Sequence, residues 1–307
     1  MVSSLPQLAV ARLATGAVAG WIIPVSMAYV GDVAPTDRAQ QILARYASGY
    51  ILGQLFGQVL GGVLGDLVGW RNVFFVLAGM FGLAAIGLVI ELFFNPAVGE
   101  PHRRPGAPKG FIAAYAAVVS NPFARMILTV GFIEGGLAWG AFAYIGADLH
   151  TRFGLSFTLV GVSVGFFGVG GLIYASLVRL FVYRLGQTGL ALIGGLVITA
   201  AYILLAIETV WWLAPMATTA IGLGFYMFHN TLQTNATQMT PHARGTAVSI
   251  FSSALYIGQT AGVAAGALIF DRLGSRPLFL VTAAAFPILA FWFAFELRRA
   301  KSNALVR

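Results

Sequence analysis

Apolar runs of roughly 20 residues recur along the chain, separated mostly by short polar breaks. Nine can be drawn, at 9–31, 43–64, 72–93, 124–147, 156–178, 188–208, 210–234, 246–269 and 277–297. About 20 apolar residues in a helix cross a hydrocarbon core about 30 Å thick. The runs are rich in helix formers and none alternates with period two for long, which predicts helices rather than barrel strands. The expected fold class is all-α: a polytopic membrane bundle of about nine transmembrane helices.

One break is much longer than the rest. Residues 94–122 carry proline, glycine and basic residues and predict a linker between two bundles. The expected domains are a partial N-terminal bundle at 1–93, the linker at 94–122, and a complete six-helix bundle with its tail at 123–307. Within the linker, 111–120 is apolar enough to form a short interfacial helix.

A stretch near the end of the second span returns near the end of the eighth. GQLFGQVLGGVLGDLVGWRNVFF at 53–75 and GQTAGVAAGALIFDRLGSRPLFL at 258–280 agree without a gap at eight of 23 positions. Gly53, Gln54, Gly57, Gly61, Asp66, Gly69, Arg71 and Phe74 match Gly258, Gln259, Gly262, Gly266, Asp271, Gly274, Arg276 and Phe279. Glycine supplies four of these matches and could align by chance. The shared Gln, Asp, Arg and Phe favour duplication. Pro35 and Arg38 correspond likewise to Pro241 and Arg244, and Gly16 to Gly222. Spans one to three thus repeat as seven to nine, whereas four to six have no partners. The expectation is two six-helix halves whose first three helices precede this sequence; the alternative is a natural nine-span architecture.

Composition narrows the functional classes. The chain is 59% hydrophobic and 9% charged, where soluble domains carry about 25% charge. The net charge of +8 raises nucleic acid as a partner, but its placement fits orientation instead. With the linker cytoplasmic, 13 of the 18 Lys and Arg fall on that side. Arg12, Arg71, Arg152, Arg272 and Arg276 remain outside. The positive-inside rule puts the linker and C-terminus in the cytoplasm. No basic patch interleaved with aromatics remains for nucleic acid. Cysteine is absent, which excludes disulfides and thiolate chemistry. No cleavable leader is expected, because residues 1–7 are uncharged and the first apolar run exceeds an h-region.

Several motifs resemble those of major facilitator superfamily transporters, from the fourth helix to the twelfth. ARLATGAVAG at 11–20 resembles the fourth-helix pattern, which Arg12 and Gly16 fit. GQLFGQVLGG at 53–62 is similar to the fifth-helix motif, which Gly53, Gly57, Gly61 and Gly62 fit, with Gln58 standing at the proline position. GWRNVFF at 69–75 resembles the turn into the sixth helix, and LVRLFVYRLG at 177–186 the loop between the eighth and ninth. The resemblance implies an MFS-type bundle in a cell membrane, a bacterial inner membrane being expected. It also implies secondary active transport of a small molecule by alternating access between parallel repeats, in the form of proton-coupled efflux. The expected partners are the bilayer, a small-molecule substrate and protons; the protein is expected to be monomeric and to need no cofactor or metal.

Glu134 stands in the middle of a predicted span, between apolar residues and two glycines with no base nearby in sequence. A carboxylate there faces a cavity or holds a proton; the alternative is a hydrogen bond that only supports packing. Arg12 has a structural or proton-coupling role by the resemblance, or snorkels to headgroups. Gly49, Gly53, Gly57 and Gly61 form an i,i+4 stripe that predicts close helix packing. Beside it, Tyr50, Gln54 and Gln58 line a cavity or tie to a neighbouring helix, and Tyr256 and Gln259 pose the same choice. Span seven is unusually polar: His229, Asn230, Gln233, Asn235 and Gln238 lie in 226–241. Asn230, Gln233 and Thr237 share a face suited to substrate contact or to a solvated helix end. His229 has no ligand-spaced partner, so no metal site is expected. Trp139 and Tyr144 are cavity aromatics; Asp148 and His150 are expected to be solvated at the outer mouth. Asp66, Arg71, Asp271 and Arg276 bracket short turns and are expected to cap helices rather than touch substrate.

An intramembrane enzyme would need a nucleophile or metal constellation. The sequence has no cysteine or HExxH, and no paired Asp at helix spacing. A non-transporting scaffold or a decayed transporter fragment remains the alternative.

Overall fold

A computed structural model describes residues 4–20, 22, 25, 26, 39–94, 111–240 and 244–305. All regular structure among them is helical. In chain order the helices are α1 (Leu5–Ala19), α2 (Ala39–Val68), α3 (Trp70–Phe94), α4 (Phe111–Ser120), α5 (Pro122–Phe142) and α6 (Ile145–Phe153). Then come α7 (Phe157–Ile207), a 3₁₀ turn at Trp211–Leu213, α8 (Ala214–Gln238), α9 (Arg244–Leu273) and α10 (Ser275–Leu305). Among the described residues five segments are long and apolar enough to cross a bilayer: Trp70–Phe94, Pro122–Phe153, Phe157–Ile207, Thr246–Leu273 and Ser275–Ser302.

The 51-residue run of α7 holds two predicted spans, 156–178 and 188–208. It breaks at Gly186, with φ 61° and ψ 179°, a conformation open essentially to glycine alone. Predicted span 210–234 coincides with α8, which the amides and His229 make too polar to join the five. Span 9–31 meets α1 only in part, since most of 21–38 lies outside the described residues.

The internal repeat reappears in local structure. Helices α2 and α9 end 205 residues apart, at Val68 and Leu273 (273 − 68). Each ends in a one-residue turn on a matched glycine, Gly69 with φ 78° and Gly274 with φ 83°. A side chain is strained at positive φ, so both turns call for glycine.

The chain divides into two compact units, residues 1–49 with 101–105, and residues 50–100 with 106–307. The first holds α1 and the start of α2. Ser4 caps α1 by accepting from the Gln7 N–H, and Thr15 bonds back to the Ala11 carbonyl. The second holds one large core. There α7 packs along α8, α9 along α5, and α10 along α7. Phe228, Phe251, Phe279, Phe286, Phe293 and Tyr202 are fully buried between them. By contrast, no side chain of α3 is buried.

Glycine sets the α5–α9 spacing. A Cβ on Gly140 would stand 2.8 Å from the Gly262 carbonyl oxygen, and one on Gly258 would stand 2.7 Å from the Phe132 carbonyl carbon. The two backbones touch, as in small-residue packing within lipid. The matching stripe on α2 behaves differently. Among the described residues, nothing lies within 4 Å of a Cβ built at Gly49, Gly53, Gly57 or Gly61. The expected packing is therefore found on the copy, Gly258, Gly262 and Gly266, and on the neighbouring Gly62. It is absent from the predicted stripe because no described element lies against that face.

Candidate functional site

Helix α5 begins at Asn121, whose side chain accepts from the N–H groups of Phe123 and Ala124 and donates to the Met239 carbonyl. This cap ties the start of α5 to the end of α8. Three turns on, Glu134 has no exposed surface. Gly131 and Gly135 flank it on the same helix. A Cβ on Gly131 would stand 2.7 Å from the Phe251 ring, and one on Gly135 3.1 Å from the Gln259 nitrogen. The glycines thus let α9 close over the carboxylate.

The expectation that Glu134 has no basic neighbour is corrected by the fold. Helix α8 places His229 Nδ1 3.0 Å from Glu134 Oε2. Sequence spacing could not show this, since the two residues are 95 positions apart. The imidazole stacks on Phe225, with centroids 4.9 Å apart and planes at 8°. Phe251 lies 5.9 Å away on α9. Among the described residues nothing donates a hydrogen bond to Glu134 Oε1, and a buried acceptor in that condition carries a desolvation cost.

An aromatic cluster continues from the pair. Trp139 lies 5.5 Å from Phe225, 5.6 Å from Phe167 and 5.4 Å from Phe142. Tyr174 stacks on Tyr226 at 6.4 Å, with Asn230 beside its hydroxyl. Three helices, α5, α7 and α8, therefore bring Glu134, His229, Trp139, Asn230 and Tyr174 into one contiguous region. Gln233 is half-buried one turn from His229. Asn235 is turned elsewhere, donating to Gln187 Oε1 at 3.1 Å.

The other predicted residues are dispersed. Gln259 is half-buried on α9 and Tyr256 is exposed. Gln58 is half-buried on α2, while the Tyr50 and Gln54 side chains lie outside the described residues. Arg12 and Gly16 are exposed on α1. Arg71 sits over the Trp70 ring at 4.3 Å, and Asp271 and Arg276 are exposed. Tyr144 donates to the Val263 carbonyl at 2.8 Å, so it serves as an α9 contact. Asp66 caps a helix other than its own: its two oxygens accept from the N–H groups of Phe157 and Thr158 at 3.0 and 2.6 Å.

A second charged cluster also corrects the sequence reading. Asp148 is 2% exposed, not solvated. Arg152 donates to it at 2.8 Å and to Glu208 at 2.9 Å, and Ser275 donates to its other oxygen. His150 stacks on Phe157 at 4.8 Å, with Nδ1 2.7 Å from the Leu155 carbonyl. The i,i+4 spacing of Asp148 and Arg152 was readable in sequence. The convergence of Glu208 and Ser275 on them was not. Burial pushes the Glu208 carboxyl up to about 7, opposed by Arg152 and reinforced by Asp148. Among the described residues no group of three or more His, Cys, Asp or Glu could hold a metal.

A duplicated helical bundle with a buried carboxylate paired to a partly exposed imidazole has the form of a polytopic membrane transporter. Residues 1–259 match the profile of the Major Facilitator Superfamily. The chain belongs to that family and is an integral membrane protein. It is 25% identical over 277 residues to a probable sugar efflux transporter of Helicobacter pylori (strain ATCC 700392 / 26695), covering 90% of this chain and 68% of the relative. The corresponding protein of strain P12 is 26% identical over 287 residues with the same coverage. Among solved structures, it resembles a bacterial homolog to the human lysosomal transporter Spinster in an inward-facing and unoccupied conformation. The TM-score is 0.60 at 16% identity, over 89% of this chain and 74% of that one. That likeness concerns the fold. The relatives are transporters rather than enzymes.

Proposed function

We propose that the protein exports a small polar molecule of the sugar class by alternating access in exchange for protons, and that the Glu134–His229 pair carries the proton. The observation that carries this reading is the full burial of Glu134 with His229 at 3.0 Å. An unpaired carboxylate within the bilayer costs several kcal/mol, about 3 on insertion scales. With one proton the pair is net neutral, whether the proton sits on imidazole or carboxyl. The burial of Glu134 suits that loaded pair. Removing the proton leaves a buried net charge, relieved by opening to water or by substrate hydroxyls donating to Oε1. Proton and substrate would then compete for one acceptor, which is the requirement for exchange. Trp139 offers an apolar face for a sugar ring and Asn230 an amide for its hydroxyls. The bundle 123–307, which carries this region, and the partial bundle 1–93 would rock during transport, with the linker and C-terminus cytoplasmic.

Efflux of a panel of mono- and disaccharides from vesicles, with and without an imposed proton gradient, tests the reading. Gradient-accelerated loss of at least one sugar is expected. A panel in which no sugar responds would remove it.

A further inference from the structure

A carboxylate from α2 completes the first turn of α7. The first N–H groups of a helix have no partner within it. At α7, Ser156 accepts from Leu159, while Phe157 and Thr158 donate to Asp66 instead. The contact is supported immediately beneath. A Cβ on Gly62 would stand 3.1 Å from Gly161 Cα, and one on Gly161 3.3 Å from the Gly62 nitrogen. On the same face, a Cβ on Gly65 would meet the Phe157 Cβ at 3.7 Å, and one on Gly161 would stand 2.5 Å from the Gln58 carbonyl oxygen. The described contact between these two helices runs from Gln58 to Asp66, at the C-terminal part of α2. It joins a helix of the first repeat to a helix of the second.

We propose that Asp66 is a conformational latch: its carboxylate, bound to the α7 N-terminus, holds the outer ends of α2 and α7 together and must let go when that face opens. This rests on the alternating-access reading, and the outer placement follows the charge topology. Two features suit a reversible catch. The bonds go to two backbone N–H groups, with the Thr158 and Ser156 hydroxyls beside the carboxylate. They also form at an exposed site, where water replaces them on release. Asp271, the repeat copy of Asp66, is exposed on α9 and serves as an internal control.

The chain has no cysteine, so Leu67→Cys and Leu159→Cys give unique spin-label sites at exposed positions. Distances between the labels are read in nanodiscs. Asp66→Ala should shift the ratio of separated to closed populations about fivefold toward separation, the usual effect of losing one cap. Phe157→Pro removes one donor at a first-turn position that tolerates proline, beside an already extended Ser156. It should shift the ratio in the same direction by less, and add nothing to Asp66→Ala. Asp271→Asn should leave the distances unchanged. Unchanged distances in Asp66→Ala with helix content intact, or an equal shift in Asp271→Asn, would overturn the latch. The distances are read without substrate, so failed sugar efflux with a working latch would count only against the transport reading.

Discussion

Replacing Gly262 with alanine should loosen the bundle, whereas the same change at its repeat copy, Gly57, should not. A Cβ at Gly262 would stand 2.5 Å from Gly136 Cα and 2.6 Å from Gly136 C. That is about 1 Å inside ordinary carbon–carbon contact. The obstacle is backbone, so α9 has to lift away from α5 rather than let a side chain swing aside. Overpacking costs about 1–3 kcal/mol. Lifting also strips contacts at Gly135 and Gly140, which puts the expected loss near the upper end. Alanine's better helix propensity returns less than about 1 kcal/mol. In micelles it returns still less, because α9 stays helical when separated. At Gly57 no described residue lies within 4 Å of the added Cβ, leaving only the small propensity gain. Tryptophan fluorescence during reversible unfolding in mixed micelles measures both variants, and a gap of about 2 kcal/mol between them is expected. Equal stabilities, or greater damage at Gly57, would refute the packing argument.

Three further outcomes follow from the same geometry. Arg152→Ala leaves Asp148 and Glu208 buried without their shared cation and should cost about 2–4 kcal/mol in the same unfolding assay. Glu208 has a folded value of about 7, above the ordinary value of 4.5. The folded state therefore holds its proton more tightly, and stability should fall as pH rises from about 4.5 to 7, then level off. Allowing for solvent screening, the loss is about 1–2 kcal/mol, and Glu208→Gln should abolish the slope in a melting series across that window. Finally, a membrane-impermeant thiol reagent added outside cells should label Leu67→Cys and spare Ser302→Cys. The reverse pattern would invert the topology.

The helices were legible because each apolar run has to satisfy its own backbone in lipid. The duplicated turns were legible because positive φ at Gly69 and Gly274 demands the same residue twice. The site was only half legible. Glu134 declares itself as an acid in an apolar run, but its partner lies on another helix, and nothing in local spacing links residue 229 to it. Asp148 was misread as solvated for the same reason. Its burial depends on Glu208 and Ser275, which arrive from distant helix ends. The glycine stripe on α2 marked a packing surface by composition. Whether such a surface is covered depends on what lies against it, which no local pattern encodes.

The most direct test concerns the carboxylate at the centre of the account. Sugar efflux is followed from vesicles containing the wild-type protein or Glu134→Gln, with the proton gradient imposed and then collapsed, after confirming equal amounts inserted. The gradient should accelerate wild-type efflux about tenfold or more, while the glutamine variant should respond to neither condition. A variant that keeps the wild-type gradient response would contradict the assignment of the proton to the Glu134–His229 pair.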